Sequence, residues 1–461
     1  MQTFKEAYEQ REPKHAIPAV SATFKDGAVL EMVYDGETRR SRFVLWRNGT
    51  WGYEDSHRAS PMFFLVPYSP NNNLIRNEIV LFPSAPQEYG SEDELLGDIQ
   101  RFVHRYVDVS PLFEKIAGYY ALFSWLYDGF NELPYLRVRG DPGSGKTRFL
   151  LTVGSICYKP IFASGASTVS PLFRLLESFR GTLIIDESDF RFSDEKAEMV
   201  KILNNGNVRG FPVLRSETSG RGEFNPHAYH VFGPKILASR GDFDDRALES
   251  RFITEEMGTS RLRDDVPINL PSEQKAEALA LRNKLLLFRF RNFKKHATLP
   301  ELVDRSLEPR LNQIFVPLLS VIKDPKACEE LKGVARQCQR ELVSERGLDT
   351  EAHVLAVLQE LLSIARDEVL TIKEVTERFA EEYGGEYERK ITGKWVGYIL
   401  RKRLHLRAEK RHGVFVIPAT EKPKLDRLFE RYGLVDSTVS SSRATGQLGP
   451  DPEFRTPTLY N

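Results

Sequence analysis

Cysteine is nearly absent from this chain: Cys157, Cys328 and Cys338 are the only three among 461 residues. An odd, widely spaced set neither builds a disulfide framework nor gives the paired spacing of a zinc site, so each is expected to be an ordinary reduced thiol. Net charge is missing as well, because 65 basic residues balance 65 acidic ones. Attraction to nucleic acid would therefore have to come from local basic clusters and not from an overall field. No run approaches the roughly 18 to 20 consecutive apolar residues that cross a bilayer, and the first residues show no cleavable apolar signal. No membrane partner and a cytoplasmic location are the expectations. Internal repeats are not visible, and biased composition is confined to the Ser, Pro and Gly-rich tail from about Asp436.

What is present is the composition of a folded protein, 41% hydrophobic and 28% charged, in a chain too long for one ordinary core. Between Ala19 and Tyr53, strand-like runs such as Val29 to Tyr34 and Phe43 to Trp46 are separated by Asp26-Gly27, Asp35-Gly36 and Asn48-Gly49. These pairs tolerate positive φ and favour tight hairpins, which predicts a small antiparallel β module. Its aromatics Trp46, Trp51, Phe63, Phe64 and Tyr68 read as core in preference to a stacking platform. From Glu92 to Tyr127 helical spacing takes over, interrupted at Ser110-Pro111. Apolar strands then alternate with helices: Tyr135 to Val138, Pro160 to Phe162, Thr182 to Ile185, His230 to Ala238 and Phe252 to Thr254. Such alternation builds a mainly parallel sheet. Beyond Pro267 the pattern is helical to Val369.

The octet Gly140, Asp141, Pro142, Gly143, Ser144, Gly145, Lys146, Thr147 follows the first of those strands and fits G-x-x-x-x-G-K-[ST]. Glycines let backbone N-H groups turn toward phosphate oxygens, and the helix starting there adds its positive end. Lys146 supplies a mobile charge for the β and γ phosphates of ATP, and the Thr147 hydroxyl can ligate Mg²⁺. The run Thr182 to Ile185 leads into Asp186-Glu187, placing two acids at the carboxyl edge of the sheet. Asp186 is expected to hold magnesium and Glu187 to act as general base toward water. An acidic pair after a strand can also be a helix cap or a solvated turn; the phosphate loop tips the reading toward hydrolysis of ATP.

With these segments in hand, the chain resembles the AAA+ ATPases, and within them the superfamily-3-like helicase ATPases of phages, plasmids and mobile elements. The resemblance spans about residues 85 to 430 and rests on GDPGSGKT, TLIIDE, FGPKILAS, DDRALESRF and EPRLNQIFVPLL. It implies a sensor at Ser239, where asparagine or threonine is more usual, and a γ-phosphate arginine acting on the neighbouring subunit. Arg251 best matches that arginine, with Arg246 second, and Arg310 resembles a second sensor in a helical lid. A helix-surface ion pair is the plain alternative for Arg251 and Arg246, and a charge on a solvated helix is that for Arg310. The resemblance further implies a homo-oligomeric ring, hexameric in such families, and a role in DNA replication.

Two segments point to DNA. Phe211 to Val231 reads as a hairpin with Arg221 near its glycine-flanked tip, supported by Arg209 and Arg215; related ring helicases grip a single strand in the channel with such a hairpin. An exposed turn or subunit contact is the other reading. Leu370 to Tyr383 and Thr392 to Arg403 resemble two helices of a winged helix-turn-helix, followed by a hairpin from Leu404 to Ile417. Lys394, Arg401, Lys402 and Arg403 lie on its second helix, with Arg407, Lys410 and Arg411 on the wing, an arrangement suited to duplex DNA or to a protein contact. Trp395, Val396, Tyr398 and Ile399 are expected in that unit's core.

The expected fold is thus α/β: a small β-rich module at 1–85, a P-loop NTPase core with an AAA+-like parallel sheet at 86–265, a helical lid at 266–349, a winged helix at 350–433, and a disordered tail at 434–461. The expected activity is that of a Mg-ATP-dependent DNA helicase or translocase. The alternative is a non-unwinding switch or remodelling ATPase acting on DNA or a partner protein.

Overall fold

A computed structural model describes residues 15–60, 63–186, 194–216, 225–243, 245–259, 261–293, 295–347, 350–364, 370–387, 391–411 and 413–434. Glu187, Arg221 and the tail from 435 onward lie outside the described residues. In the N-terminal part, Asn48 and Gly49 both adopt positive φ, 52° and 83°, and close a hairpin as their pairing predicts. The strands here are β1 (His15–Ala19), β2 (Ser21–Thr23), β3 (Val29–Asp35), β4 (Arg40–Arg47), β5 (Thr50–Glu54), β6 (His57–Ser60) and β7 (Phe63–Pro67). β2 to β5 form the expected antiparallel sheet in sequential order. A second sheet, ordered β1-β7-β6, pairs β1 with β7 in parallel.

Ser91 and Glu94 form a reciprocal capping box at the start of helix Glu92–Tyr106, and Ser110 caps helix Pro111–Ser124, with Pro111 in its first turn. The next strands are β8 (Tyr135–Arg139), β9 (Ile161–Ser164), β10 (Leu183–Asp186), β11 (Val213–Arg215), β12 (His227–Tyr229), β13 (Lys235–Ser239) and β14 (Phe252–Glu256). Five of them make one wholly parallel sheet in the order β14-β8-β13-β10-β9, while β11 and β12 pair as a separate antiparallel hairpin. Helix Lys146–Ile156 packs on β10 and β13. Gly154 allows that approach, since a side chain there would run into Ile184.

The chain divides into two compact units, 1–336 and 337–461. In the first, the β module and the parallel sheet share an apolar cluster: Leu30, Met32 and Phe43 lie in it with Phe173, Phe179 and Leu183. Trp46 is half-buried, stacked on Phe290 of helix Glu273–Asn292 at 5.7 Å between ring centres. Trp51 and Phe63 do not follow the expectation: Trp51 stays 41% exposed on β5, the sheet's edge strand, and Phe63 is 39% exposed at the start of β7.

A buried ionic cluster joins the same parts. Arg289 bonds to Glu31 at 2.8 Å and Asp128 at 2.7 Å, and Lys159 lies 3.1 Å from Glu31. Tyr158 donates to Glu31 at 2.7 Å. Burial raises the Asp128 carboxyl, but the Arg289 guanidinium outweighs it and holds the group below the usual carboxylate range.

The second unit packs helices Thr350–Ile364, Ile372–Tyr383 and Gly393–Tyr398, the last running on as a π turn over Ile399–Arg403. A hairpin of β15 (Glu409–Arg411) and β16 (Val414–Val416) comes next, then helix Lys422–Arg431. Val354, Leu358, Val375, Phe379, Val396 and Leu400 make its core. Trp395 packs partly buried against that core and Ile399 is within it, as expected, but Tyr398 is 55% exposed, which corrects its assignment to the interior.

Removing Arg289 would leave the buried Glu31 and the half-buried Asp128 without their main cation. Arg289→Ala should therefore lower stability by about 3 to 5 kcal/mol, read from urea unfolding. A loss below about 1 kcal/mol would mean that the cluster is incidental to the fold.

Candidate active site

The loop after β8 is shaped by backbone conformations that suit glycine. Gly140, Gly143 and Gly145 have φ of +150°, +85° and +93°, and a side chain at Gly140 would strike the Met257 carbonyl. Gly145 is the N-cap of helix Lys146–Ile156, and no side chain caps that end. The first-turn N-H groups are thus left facing the loop, the donor set an anion requires. Lys146 folds back over the loop, donating to the Gly140 and Asp141 carbonyls at 2.6 and 2.7 Å. The Ser144 hydroxyl is buried and has no partner among the described residues. Backbone donors, a mobile ammonium and an unpaired hydroxyl fit a polyphosphate.

Thr147 and Asp186 meet directly: the Thr147 hydroxyl donates to Asp186 Oδ2 at 2.6 Å across 39 positions of chain. A hydroxyl and a carboxylate side by side at a phosphate loop are oxygen ligands of the kind Mg²⁺ takes, so the residues fit that ion. Strand order explains how Ser239 joins them. β13 lies between β8 and β10, so its carboxyl end emerges between the loop and Asp186, with Ser239 in register with Arg139. Ser239 is buried, and its hydroxyl donates to the Gly241 carbonyl at 3.0 Å.

These residues line one cavity of about 1360 Å³. The cavity is lined as well by the apolar side chains of Val109, Pro111, Leu262 and Ile268. Arg240 lines the cavity too and is exposed. No motif in the sequence includes it, although its place directly after a strand that ends at the site is a usable signal.

The candidate arginines Arg251 and Arg310 are not among the residues that line the cavity. Arg251 sits at the amino edge of the sheet, opposite the phosphate loop, where its carbonyl accepts from Tyr135. Only 7% exposed, its guanidinium donates to Asn207 Oδ1 at 2.9 Å, to the Asn204 carbonyl at 3.2 Å and to the Ala247 carbonyl. Burial, reinforced by the charge of nearby Arg310, pushes it below the usual arginine value. A side chain so engaged braces its own subunit. Arg310 is carried by helix Pro309–Leu319.

Arg246, the second choice, is exposed on the short helix Arg246–Glu249. That helix is tied to the loop strand, since buried Arg137 on β8 bonds to Glu249 at 2.7 Å and to Asp242 at 3.3 Å. Arg139 adds bonds to Asp242 and, at 2.6 Å, to Glu256.

Of the nucleic-acid candidates, the supports Arg209 and Arg215 are built into the hairpin's base. Arg209 donates to the Asp128 and Phe130 carbonyls at 2.8 and 3.0 Å, and Arg215 pairs with Glu198 while lying over the Phe173 ring. In the second unit Lys394, Lys402, Arg407 and Lys410 are exposed. Arg403 pairs with Glu351 at 2.9 Å and Arg411 with Glu409 at 3.2 Å, while Arg401 lies over the Phe415 ring.

No protein-family model matches the chain. No curated relative matches it either. Among solved structures it is similar to the apo C-terminal region of NrS-1, at 12% identity and a TM-score of 0.34, over 84% of this chain and 96% of that one. JCV helicase gives 10% identity and 0.24 over 54% and 62%, and Cdc6p from Pyrobaculum aerophilum 12% and 0.18 over 77% and 98%. At these scores the likenesses set no family, and the site's own geometry carries the chemistry.

Because Gly140 holds a conformation that costs other residues about 1 to 3 kcal/mol, Gly140→Ala should weaken Mg-ATP binding about tenfold or more. Gly52→Ala, in open space on β5, is the control and should bind as wild type. Calorimetric titration checks both, and equal affinity in the two variants would count against the loop as the phosphate site.

Proposed function

We propose that the protein is a Mg-ATP-dependent ATPase that acts on DNA as a helicase or translocase. The observation that carries the ATPase part is the convergence of the loop at 140–147 with Asp186 through the Thr147 hydroxyl, at 2.6 Å. In the bare loop Lys146 is bonded to carbonyls; on ATP binding it would exchange them for β and γ phosphate oxygens, while the N-H groups of the first helical turn hold the remaining oxygens. Thr147 and Asp186 would hold Mg²⁺, which neutralises charge on the phosphates. Glu187, the next residue in sequence, would orient and deprotonate the attacking water.

Charge on the transferring phosphoryl group calls for an arginine as well. Arg240 stands in the cavity and would supply it from the same subunit. Arg246, exposed on a helix tied to the loop strand through Arg137, would reach a neighbouring subunit in a ring, six-membered by family resemblance. Ser239, between the loop and Asp186, would help position the water.

The DNA part is supported by the β11–β12 hairpin, which would bring Arg221 to a single strand in the ring channel, and by the exposed cations of the second unit, read as a winged helix that meets duplex. The sequence resemblance to helicase-type ATPases of mobile elements supports a role in replication.

Lys146→Ala should lose ATP binding and turnover, whereas Glu187→Gln should bind ATP normally and hydrolyse it about a hundredfold more slowly or worse, as removal of a general base does. Steady-state phosphate release beside nucleotide titration checks both, and full turnover by Glu187→Gln would remove the assigned base. On forked DNA, ATP should drive strand displacement; DNA-stimulated hydrolysis without displacement would select remodelling over unwinding.

For the arginines, Arg240→Ala should lower kcat at unchanged ATP affinity. Mixing Arg246→Ala with Lys146→Ala subunits should restore activity at mixed interfaces. Mixed oligomers that stay inactive would exclude Arg246 as the residue acting in trans.

A further inference from the structure

The second unit carries a surface that ATP chemistry does not use. Val396, Ile399 and Leu400 of its helix and π turn face the core, while Lys394, Tyr398, Arg401 and Lys402 stand exposed. Positions three and four apart share a side of a helix, so the tyrosine lies among the cations. The adjoining hairpin continues the pattern. Phe415 on β16 is 49% exposed and sits opposite exposed Lys410 on β15.

Arg401 joins the two parts. Its guanidinium carbon lies 5.7 Å from the Phe415 ring centre, and its nitrogens pass so close to Gly397 that a Cβ there would meet one at 2.9 Å. Glycine at 397 lets the arginine lie across the helix toward the hairpin, where it meets the aromatic ring.

Residues 393–416 hold seven Lys and Arg against one Glu. Only Arg403 and Arg411 among these cations have a carboxylate within ion-pair distance among the described residues, at 2.9 and 3.2 Å. Phosphate binding alone requires cations and no rings. Two half-exposed rings in the same surface add what unpaired bases offer and paired bases do not: open π faces on which to stack.

We propose that this face binds the junction between duplex and single-stranded nucleic acid, its lysines holding the backbone and Tyr398 and Phe415 stacking on the first unpaired bases. The inference rests on the reading that the chain acts on DNA and specifies which DNA the second unit recognises. Arg401 is a positioning residue here, holding the Phe415 ring beside the helix.

The test uses the full chain without nucleotide and three labelled DNAs: a blunt duplex, the same duplex with an oligo(dT) tail, and the tail alone. Fluorescence anisotropy should rank the tailed duplex tightest. The double variant Tyr398→Ala with Phe415→Ala, both at exposed positions, should lose about tenfold on the tailed duplex and on the tail, with blunt-duplex binding unchanged. Lys402→Ala with Lys410→Ala should weaken all three and reduce the salt dependence by about two phosphate contacts. Circular dichroism confirms that both variants are folded.

Equal losses on blunt and tailed DNA would overturn the stacking role. Unchanged binding of every DNA by both variants would overturn the proposal and assign the face to a protein partner. If the wild type binds no DNA, the DNA part of the proposed function falls with it; if it binds DNA without aromatic dependence, only this inference falls.

Discussion

Two segments distant in sequence must end at the same edge of the parallel sheet before anything else in this protein can work. The bond from the Thr147 hydroxyl to Asp186 expresses that constraint. Thr147 is there because Gly145 takes a left-handed conformation and starts a helix in the next residue, and Asp186 because a fully buried apolar strand delivers it to the carboxyl edge. Parallel strands all present their carboxyl ends on one side, so the fold turns separate local decisions into one site. β13, inserted between the two strands, brings Ser239 and Arg240 into the same place.

Charge pairs, one of them anchored on the buried Arg137, tie the rest to that edge. Arg137 and Arg139 fasten the loop strand to Asp242, Glu249 and Glu256, so the segment after Ser239 and the helix bearing Arg246 are mechanically continuous with the phosphate loop. Breaking the Arg137 bond to Glu249 would leave that buried guanidinium uncompensated, whereas the partly exposed Arg139 pairs are screened by solvent. Farther back, Arg289 performs the same task between the β module and the long helix Glu273–Asn292.

Much of this was legible in the residues. Most strand positions, the break at Ser110-Pro111, the Asn48-Gly49 hairpin and the glycine-rich loop at 140–147 arise from local periodicity and turn chemistry, whereas the strand expected from His230 begins only at Lys235. Side-chain direction was not legible. Nothing in Ser250-Arg251-Phe252 says that the guanidinium turns inward to Asn207, because the partner is 44 positions away and becomes a neighbour only through the sheet. Tyr398 looked like core by composition, yet its helix runs into a π turn and leaves the ring outside. The parallel pairing of β1 with β7 likewise depends on contacts between segments with no local signal. Arg240 belongs to no motif, and only the strand order around β13 shows that the residue beyond that strand's end enters the cavity.

The central claim is that Thr147 and Asp186 hold a divalent cation against the phosphates of ATP, and manganese makes it visible. Electron paramagnetic resonance of Mn²⁺ titrated into the protein with a slowly hydrolysed ATP analogue should show the ion immobilised by wild type. With Asp186→Asn the nucleotide should remain bound while the ion is released or only weakly held. Manganese held equally well by both proteins would contradict the account.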